Sequence, residues 1–252
     1  PGLAYATNVL DRLMVGDYEK YGPRGTGEFS FTPYGNIPIP FLRGALIESW
    51  ETSPKRLTFH VRRGIYWQAM GKEHVMESRE YTAHDLVFNL RRILKNPIGA
   101  SIVAAGFIKT PYEETIYPVG DFTAVVELER YNIDWPMWLA LDIPCVHIAP
   151  ETVEAGPDEW ENLVGTGPFV FDEYVLGSHM GFVRNPDYWR TTIINGVEYE
   201  LPFIDELIMP FIPDTATRMA ALRTGVLDAC VVVEPADAAS FEMTTPEMLR
   251  IE

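Results

Sequence analysis

Between Gly165 and Arg190 the chain reads GTGPFVFDEYVLGSHMGFVRNPDYWR, and this stretch limits what the remainder can be. Gly165 and Gly167 flank Thr166 and Pro168 follows, so the backbone can turn sharply here and must then stay extended. Phe169-Val170-Phe171 and then Gly181-Phe182-Val183 place aromatic and β-branched residues where a half-buried pleated surface wants them. With Gly177-Ser178 between them, the two runs read as strands joined by a tight turn. Asn185-Pro186-Asp187 ends the second strand, and Tyr188 and Trp189 supply apolar bodies with polar tips to seal it.

The chain before this stretch alternates strands with helices. Residues 4–14 (AYATNVLDRLM) carry apolar residues at helical spacing and predict a short amphipathic helix. Residues 16–40 are punctuated by Gly, Pro and aromatics, which predicts an ordered loop whose rings pack on their own domain. Ala45 to Glu51 leads into a strand in which Leu57, Phe59 and Val61 alternate with Thr58, His60 and Arg62; Ile65 and Trp67 are expected to resume its ladder after Gly64. His60 falls on the polar side of that alternation, the position of an exposed strand residue rather than a ligand.

Thr82 can cap a helix, Asp85 can answer it, and Tyr81 with Leu86 can form a hydrophobic staple. Leu86, Leu90, Ile93 and Leu94 then line one face, while Arg91, Arg92 and Lys95 suit the negative end of the helix dipole before Asn96-Pro97 stops it. Phe122 to Leu128 is an alternating strand, Pro136 can start a helix over Trp135–Leu141, and residues 150–162 hold a short helix at most. Phe203 to Met209 predicts a strand that Phe211 to Pro213 continues to a stop. Asp214 caps a helix running to Gly225 with Met219, Ala220 and Leu222 inward. Val226 to Val233 reads as a short buried strand, which makes strand, helix and strand a parallel crossover.

With 36 acidic against 20 basic residues the net charge is −16, which repels phosphate backbones and anionic lipid heads; nucleic acid and peripheral membrane partners are not expected. No apolar run reaches bilayer length. The chain begins Pro-Gly-Leu-Ala without an initiating Met or a signal segment and reads as a piece of a longer polypeptide. Cys145 and Cys230 make no metal spacing with the histidines and read as buried thiols, so no metal or cofactor is expected. There is no G-x-S-x-G, H-E-x-x-H or Walker loop, and Pro168 spoils any dinucleotide reading of Gly165-Thr166-Gly167. The acid pairs Glu113-Glu114 and Glu159-Glu161 could flank a sugar bond but sit in polar connections. Read from its residues alone, the chain is a mixed α and β protein of binding-module type.

Six blocks taken together carry a resemblance: LIESWE (46–51), LTFHVRRGIYW (57–67), YTAHDLVFNLRRIL (81–94), GTGPFVFDEY (165–174), VRNPDYWR (183–190) and FIDELIMPFIPDTATRMAALRTGVLDA (203–229). Their order and spacing resemble the extracytoplasmic solute-binding proteins of family 5, the oligopeptide, dipeptide and nickel type receptors of ATP-driven importers. The resemblance implies an α/β fold, the first lobe of a class II periplasmic-binding-protein fold with an inserted subdomain. Residues 1–10 and 163–235 would form an incomplete core domain, 11–162 the inserted α+β subdomain, and 236–252 the start of the crossover to a second lobe.

The resemblance further implies a non-enzymatic receptor that captures peptides or a similar small solute by closure of two lobes and hands it to permease subunits. It would act outside the cytoplasmic membrane, secreted by a signal peptide and with a lipid anchor on the parent compatible. Asp142, Ile143, Pro144, Thr166, Val232 and Glu234 fall where the family's cleft would be, and Trp67 and Trp189 are candidate aromatics that read rather as core. The chain departs from the family in the long 16–40 segment and in the run after Trp67, which lacks the usual HDG turn. Two other classes stay open at this level: a carboxylate-dependent hydrolase acting on glycans, and a docking or structural lobe.

Overall fold

In the computed structural model, residues 7–23, 25–31, 36–141, 146–230 and 233–245 are described. Their strands are β1 (Met14–Gly16), β2 (Leu42–Gly44), β3 (Ile47–Ser53), β4 (Arg56–Val61), β5 (Ile116–Pro118), β6 (Thr123–Glu127), β7 (Phe169–Val175), β8 (His179–Arg184), β9 (Thr191–Ile194), β10 (Val197–Glu200) and β11 (Glu206–Pro210). They form a four-stranded sheet in the order β3-β4-β6-β5, a three-stranded sheet β11-β8-β7, and the pairs β1-β2 and β10-β9. The fold is mixed α and β, as the patterning predicts. Two compact units divide the chain: Pro1–Glu173 with Gly181–Leu207, and Tyr174–Met180 with Ile208–Glu252.

The first unit is built on the antiparallel four-stranded sheet. Leu57, Phe59 and Val61 turn inward from β4 and are buried, whereas His60 faces outward and hydrogen-bonds Glu51 at 3.1 Å. The helix Ala83–Lys95 covers this face with Leu86, Leu90, Ile93 and Leu94, all buried in the same cluster as Phe59, Val126 and Trp135. Its start is as expected: the Thr82 amide donates to Asp85 Oδ2 at 2.8 Å in a capping box, and the Arg79 guanidinium grips both oxygens of Asp85 at 2.9 and 2.7 Å. The aromatic loop packs on itself, with Phe29 stacked on Phe41 and Tyr18 against Phe31. It also holds one helical turn, Tyr18–Tyr21, that its punctuation hides; Asp17 caps it through the Lys20 amide.

In the second unit, the helix Thr215–Arg223 begins where Asp214 accepts from the Thr217 amide at 2.7 Å. Met219 and Leu222 pack with Phe241 of the helix Pro235–Thr244, in a small core that Leu227, Cys230 and Val233 flank.

Six sequence expectations give way to the structure. No helix forms over the described residues 7–14, because Val9, Leu10, Leu13 and Met14 are all buried and the backbone bonds go elsewhere: Asp11, Arg12 and Leu13 carbonyls accept from His147, Leu46 and Ala45. Ile65 and Trp67 are buried as expected, yet their neighbours Tyr66 and Gln68 make single bridges to Glu80 and Gly165 instead of resuming a ladder. Met137–Leu141 is a turn of π-helix. The strand after Phe203 spans only Glu206–Pro210, and Ala220 is exposed. Residues 226–230 form no strand, because Val226 and Leu227 donate their amides back to Ala221 at the end of the preceding helix; Val226 is 75% exposed. The parallel crossover is therefore not formed among the described residues. Cys230 is half-buried, and Cys145 lies outside the described residues.

One hairpin escapes the patterning argument. β9 and β10 pair antiparallel around Asn195-Gly196, where φ is 52° and 80°, the left-handed pair that a two-residue hairpin turn requires.

What positions the polar centre of the first unit is a crossing of two backbones. The amides of Gly167 and Phe169 donate to the carbonyls of Val9 and Asn8 at 2.8 and 3.1 Å, and Gly165 accepts from Gln68 at 2.9 Å. The two glycines are there for proximity rather than for a turn. A methyl on Gly165 would lie 1.9 Å from the Val9 carbonyl oxygen, and one on Gly167 2.6 Å from the Val9 carbonyl carbon.

Gly165→Ala is accordingly expected to cost on the order of 3 kcal/mol in urea unfolding. Gly64→Ala, where nothing lies within 4 Å of the added methyl and only the left-handed backbone (φ 76°) objects, should cost about 1 kcal/mol. Equal losses at the two positions would show that the crossing tolerates a side chain.

Candidate functional site

Asn185 is the clamp at this crossing. Buried at the end of β8, it donates its own amide to Pro168 at 2.9 Å and its side-chain Nδ2 to Gly167 at 2.8 Å, while its Oδ1 accepts from the Asp187 amide and from Gln68. The Asn-Pro-Asp sequence thus does more than stop a strand, because its asparagine supplies the donor that the strap's carbonyl needs.

Asp11 sits beneath the strap. Its Oδ2 accepts from Thr166 Oγ1 at 3.1 Å and from Trp189 Nε1 at 3.2 Å, and the Tyr188 hydroxyl also bonds it. Burial pushes its pKa up to about 6; the donors Trp189, Thr166 and Tyr188 and the charge of Arg190 oppose that rise. The guanidinium groups of Arg62 and Arg190 lie 5.2 and 5.8 Å from the centre of the Trp189 ring.

A second buried polar group adjoins the first through the backbone, since the His147 amide donates to the Asp11 carbonyl at 3.0 Å. The His147 ring shares a 2.7 Å hydrogen bond with the Tyr81 hydroxyl, and burial lowers its pKa to about 3, so it is neutral. The next residue is fixed as firmly: Asn89, buried on the long helix, both donates to the Ile148 carbonyl and accepts from the Ile148 amide at 3.0 Å.

Of the residues the sequence singles out, Asp142, Ile143, Pro144 and Val232 lie outside the described residues. Thr166 is buried, with its hydroxyl committed to Asp11. Glu234 is exposed at the capping position of the helix Pro235–Thr244, in the other unit. Trp67 is fully buried core. Glu113, Glu114, Glu159 and Glu161 are all exposed, and Glu113 is ion-paired with Lys95, so these acids do not face one another across a cleft. Among the described residues, no group of three His, Cys, Asp or Glu could hold a metal, and no helix is long and apolar enough to cross a membrane.

Pattern reading missed Asp11, Asn89, His147 and Asn185. The available signal was a lone polar residue inside an apolar run, as in Val146-His147-Ile148. These groups are buried and hold main chain in place.

Asp11 makes the fold's stability depend on pH in a defined sense. Because its folded pKa is raised from 3.8 to about 6, its contribution is fully present below 3.8 and is lost as pH rises through 6. His147 acts oppositely, contributing above 6.5 and losing that contribution as pH falls towards 3. Comparing the wild type with Asp11→Asn cancels the histidine. The variant should gain up to about 3 kcal/mol relative to the wild type between about pH 4 and about pH 7, measured by urea unfolding. A gap that is constant with pH would contradict the buried-carboxylate account.

Residues 42–248 match the family described as bacterial extracellular solute-binding proteins, family 5. Similar curated proteins include heme-binding protein A of Haemophilus influenzae, 28% identical over 84% of this chain and 39% of that protein, and the dipeptide-binding protein of Escherichia coli, 28% identical over 95% and 48%. Among solved structures, the periplasmic binding protein DppA of Helicobacter pylori in complex with the peptide STSA superposes with a TM-score of 0.70, at 20% identity, over 97% of this chain and 45% of that one. The murein tripeptide binding protein MppA of Escherichia coli gives 0.72 at 15% identity, over 98% and 44%. The chain thus spans less than half the length of these relatives. With the match covering most of its length, the chain belongs to family 5 of the bacterial extracellular solute-binding proteins.

Proposed function

We propose that this chain is the first lobe of the substrate-binding component of an ABC-type importer, which captures a peptide outside the cytoplasmic membrane and delivers it to permease subunits. The observation that carries this reading is the family match over residues 42–248, joined to a superposition that covers nearly all of this chain and about half of peptide-binding relatives. Several of the similar curated proteins are named for dipeptides or di- and tripeptides, which favours a peptide ligand. No covalent chemistry is assigned to the chain.

In this reading Asp142, Ile143 and Pro144, with Thr166, Val232 and Glu234, mark the cleft. Thr166 acts there through Asp11, as a positioning residue, because its hydroxyl is already committed. The division into a core (1–10 and 163–235), an inserted subdomain (11–162) and a crossover from 236 onward belongs to the same proposal, as do secretion and a lipid anchor. A receptor whose ligand is desolvated by closure needs both lobes, so the isolated chain should bind weakly.

The test is a ligand titration of the full-length parent by thermal unfolding. Di-, tri- or oligopeptides at about a hundred times Kd should stabilise it by about 3 kcal/mol, an upward shift of several degrees, and the same peptides should leave this chain alone unmoved. A parent indifferent to every peptide would overturn the assignment.

A further inference from the structure

The three cations at the end of the helix Ala83–Lys95 look alike in sequence, and the helix dipole alone could explain them. The structure gives them different roles. Arg91 is a staple, donating to the backbone carbonyls of Ile116 and Glu113. Lys95 pairs with the carboxylate of Glu113. Arg92 is half-buried, its pKa is lowered by desolvation, and it has no hydrogen-bond or ion-pair partner among the described residues. Dipole compensation works from an exposed position and does not require the charge to be taken out of water. A half-buried guanidinium that no carboxylate of the described residues pairs has its donors free to take an anion from solution.

Arg92 also lines a groove. An open cavity of about 630 Å³ lies along this helix, within the usual range of small-molecule sites of roughly 300–1,000 Å³, and all of it belongs to the first unit. Phe88 and Arg92, one turn apart on the helix, are neighbours on its surface, and Pro118 and Val153 supply further apolar wall. A cation beside an apolar trough suits a ligand with one anionic head on an apolar body.

We propose that the groove beside Arg92 is a second binding site, separate from the peptide cleft, for a small monocarboxylate on an apolar body. The carboxylate would take the planar guanidinium of Arg92 in a two-point hydrogen bond, and the hydrocarbon would lie against Phe88 and Val153. Membrane lipid offers the same anionic head on an apolar body. The overall negative charge disfavours approach to an anionic bilayer and leaves a free carboxylic acid as the occupant.

The probe is octanoate, titrated into this chain by calorimetry beside its neutral isostere octanamide and beside anionic vesicles. Octanoate should bind, with octanamide weaker by about ten-fold or more, and Arg92→Gln should weaken octanoate by a similar factor. The ligand-free Arg92→Gln protein should melt at the same temperature or higher, since an unpaired desolvated charge is removed; a purely structural arginine would give a fall. Val153→Glu, which places a carboxylate on the apolar wall, should abolish octanoate binding and serves if the arginine variant fails to fold. Equal binding of octanamide, unchanged affinity in both variants, no binding of octanoate, or binding of vesicles alone would each overturn the site.

Discussion

The first unit depends on one place where two stretches of main chain touch with nothing between them. Segment 8–11 and the strap 165–168 are over a hundred and fifty residues apart in sequence, and closing a loop of that size gains nothing until the contact is complete. The glycines make the contact possible by leaving out side chains, and four surrounding donors make it permanent: the amides of Gly167, Phe169 and Asn185 and the side chain of Asn185. Of the proposed cleft residues, Thr166 sits on main chain that this crossing holds still.

Buried polar groups then fix register rather than supply net stability. Asp11, Asn89, His147 and Asn185 lie in apolar surroundings where each unfilled bond is costly, so each selects a single arrangement of its neighbours. The selection is incomplete in places: among the described residues, His147 Nε2 and the indole nitrogens of Trp67 and Trp135 have no hydrogen-bond partner. Asp11 carries its own cost, since burial holds its carboxyl near neutrality at a pH where a surface aspartate would be fully charged.

How much could be read beforehand follows from where each element's bonds are made. β4 and the long capped helix were legible because their signals are local: alternation over Leu57–Val61, and a capping box at Thr82 and Asp85. The hairpin of β7 and β8 was legible for the same reason. Residues 7–14 were not, since their helical spacing is real and their carbonyls are claimed by partners more than thirty residues away. Val226 to Cys230 failed differently, as an apolar run captured by the free end of the helix before it. The hairpin at Asn195-Gly196 carried a strong signal that was passed over among exposed residues. Thr166 is a candidate only through the family resemblance, and its hydrogen-bond partner Asp11 is hidden because a carboxylate at helical spacing reads first as the polar edge of a helix.

The central claim is that the crossing is as stable as the core itself. Native-state hydrogen exchange of the amides of Gly167, Phe169 and His147 tests it directly, because these three bond across it to Val9, Asn8 and Asp11. If the account is right, they exchange only through global unfolding, at the same opening free energy as the buried amides of Phe59 and Leu90. If they exchange through a separate, low-energy opening while the sheet and helix stay protected, the strap is a mobile loop and the account is wrong.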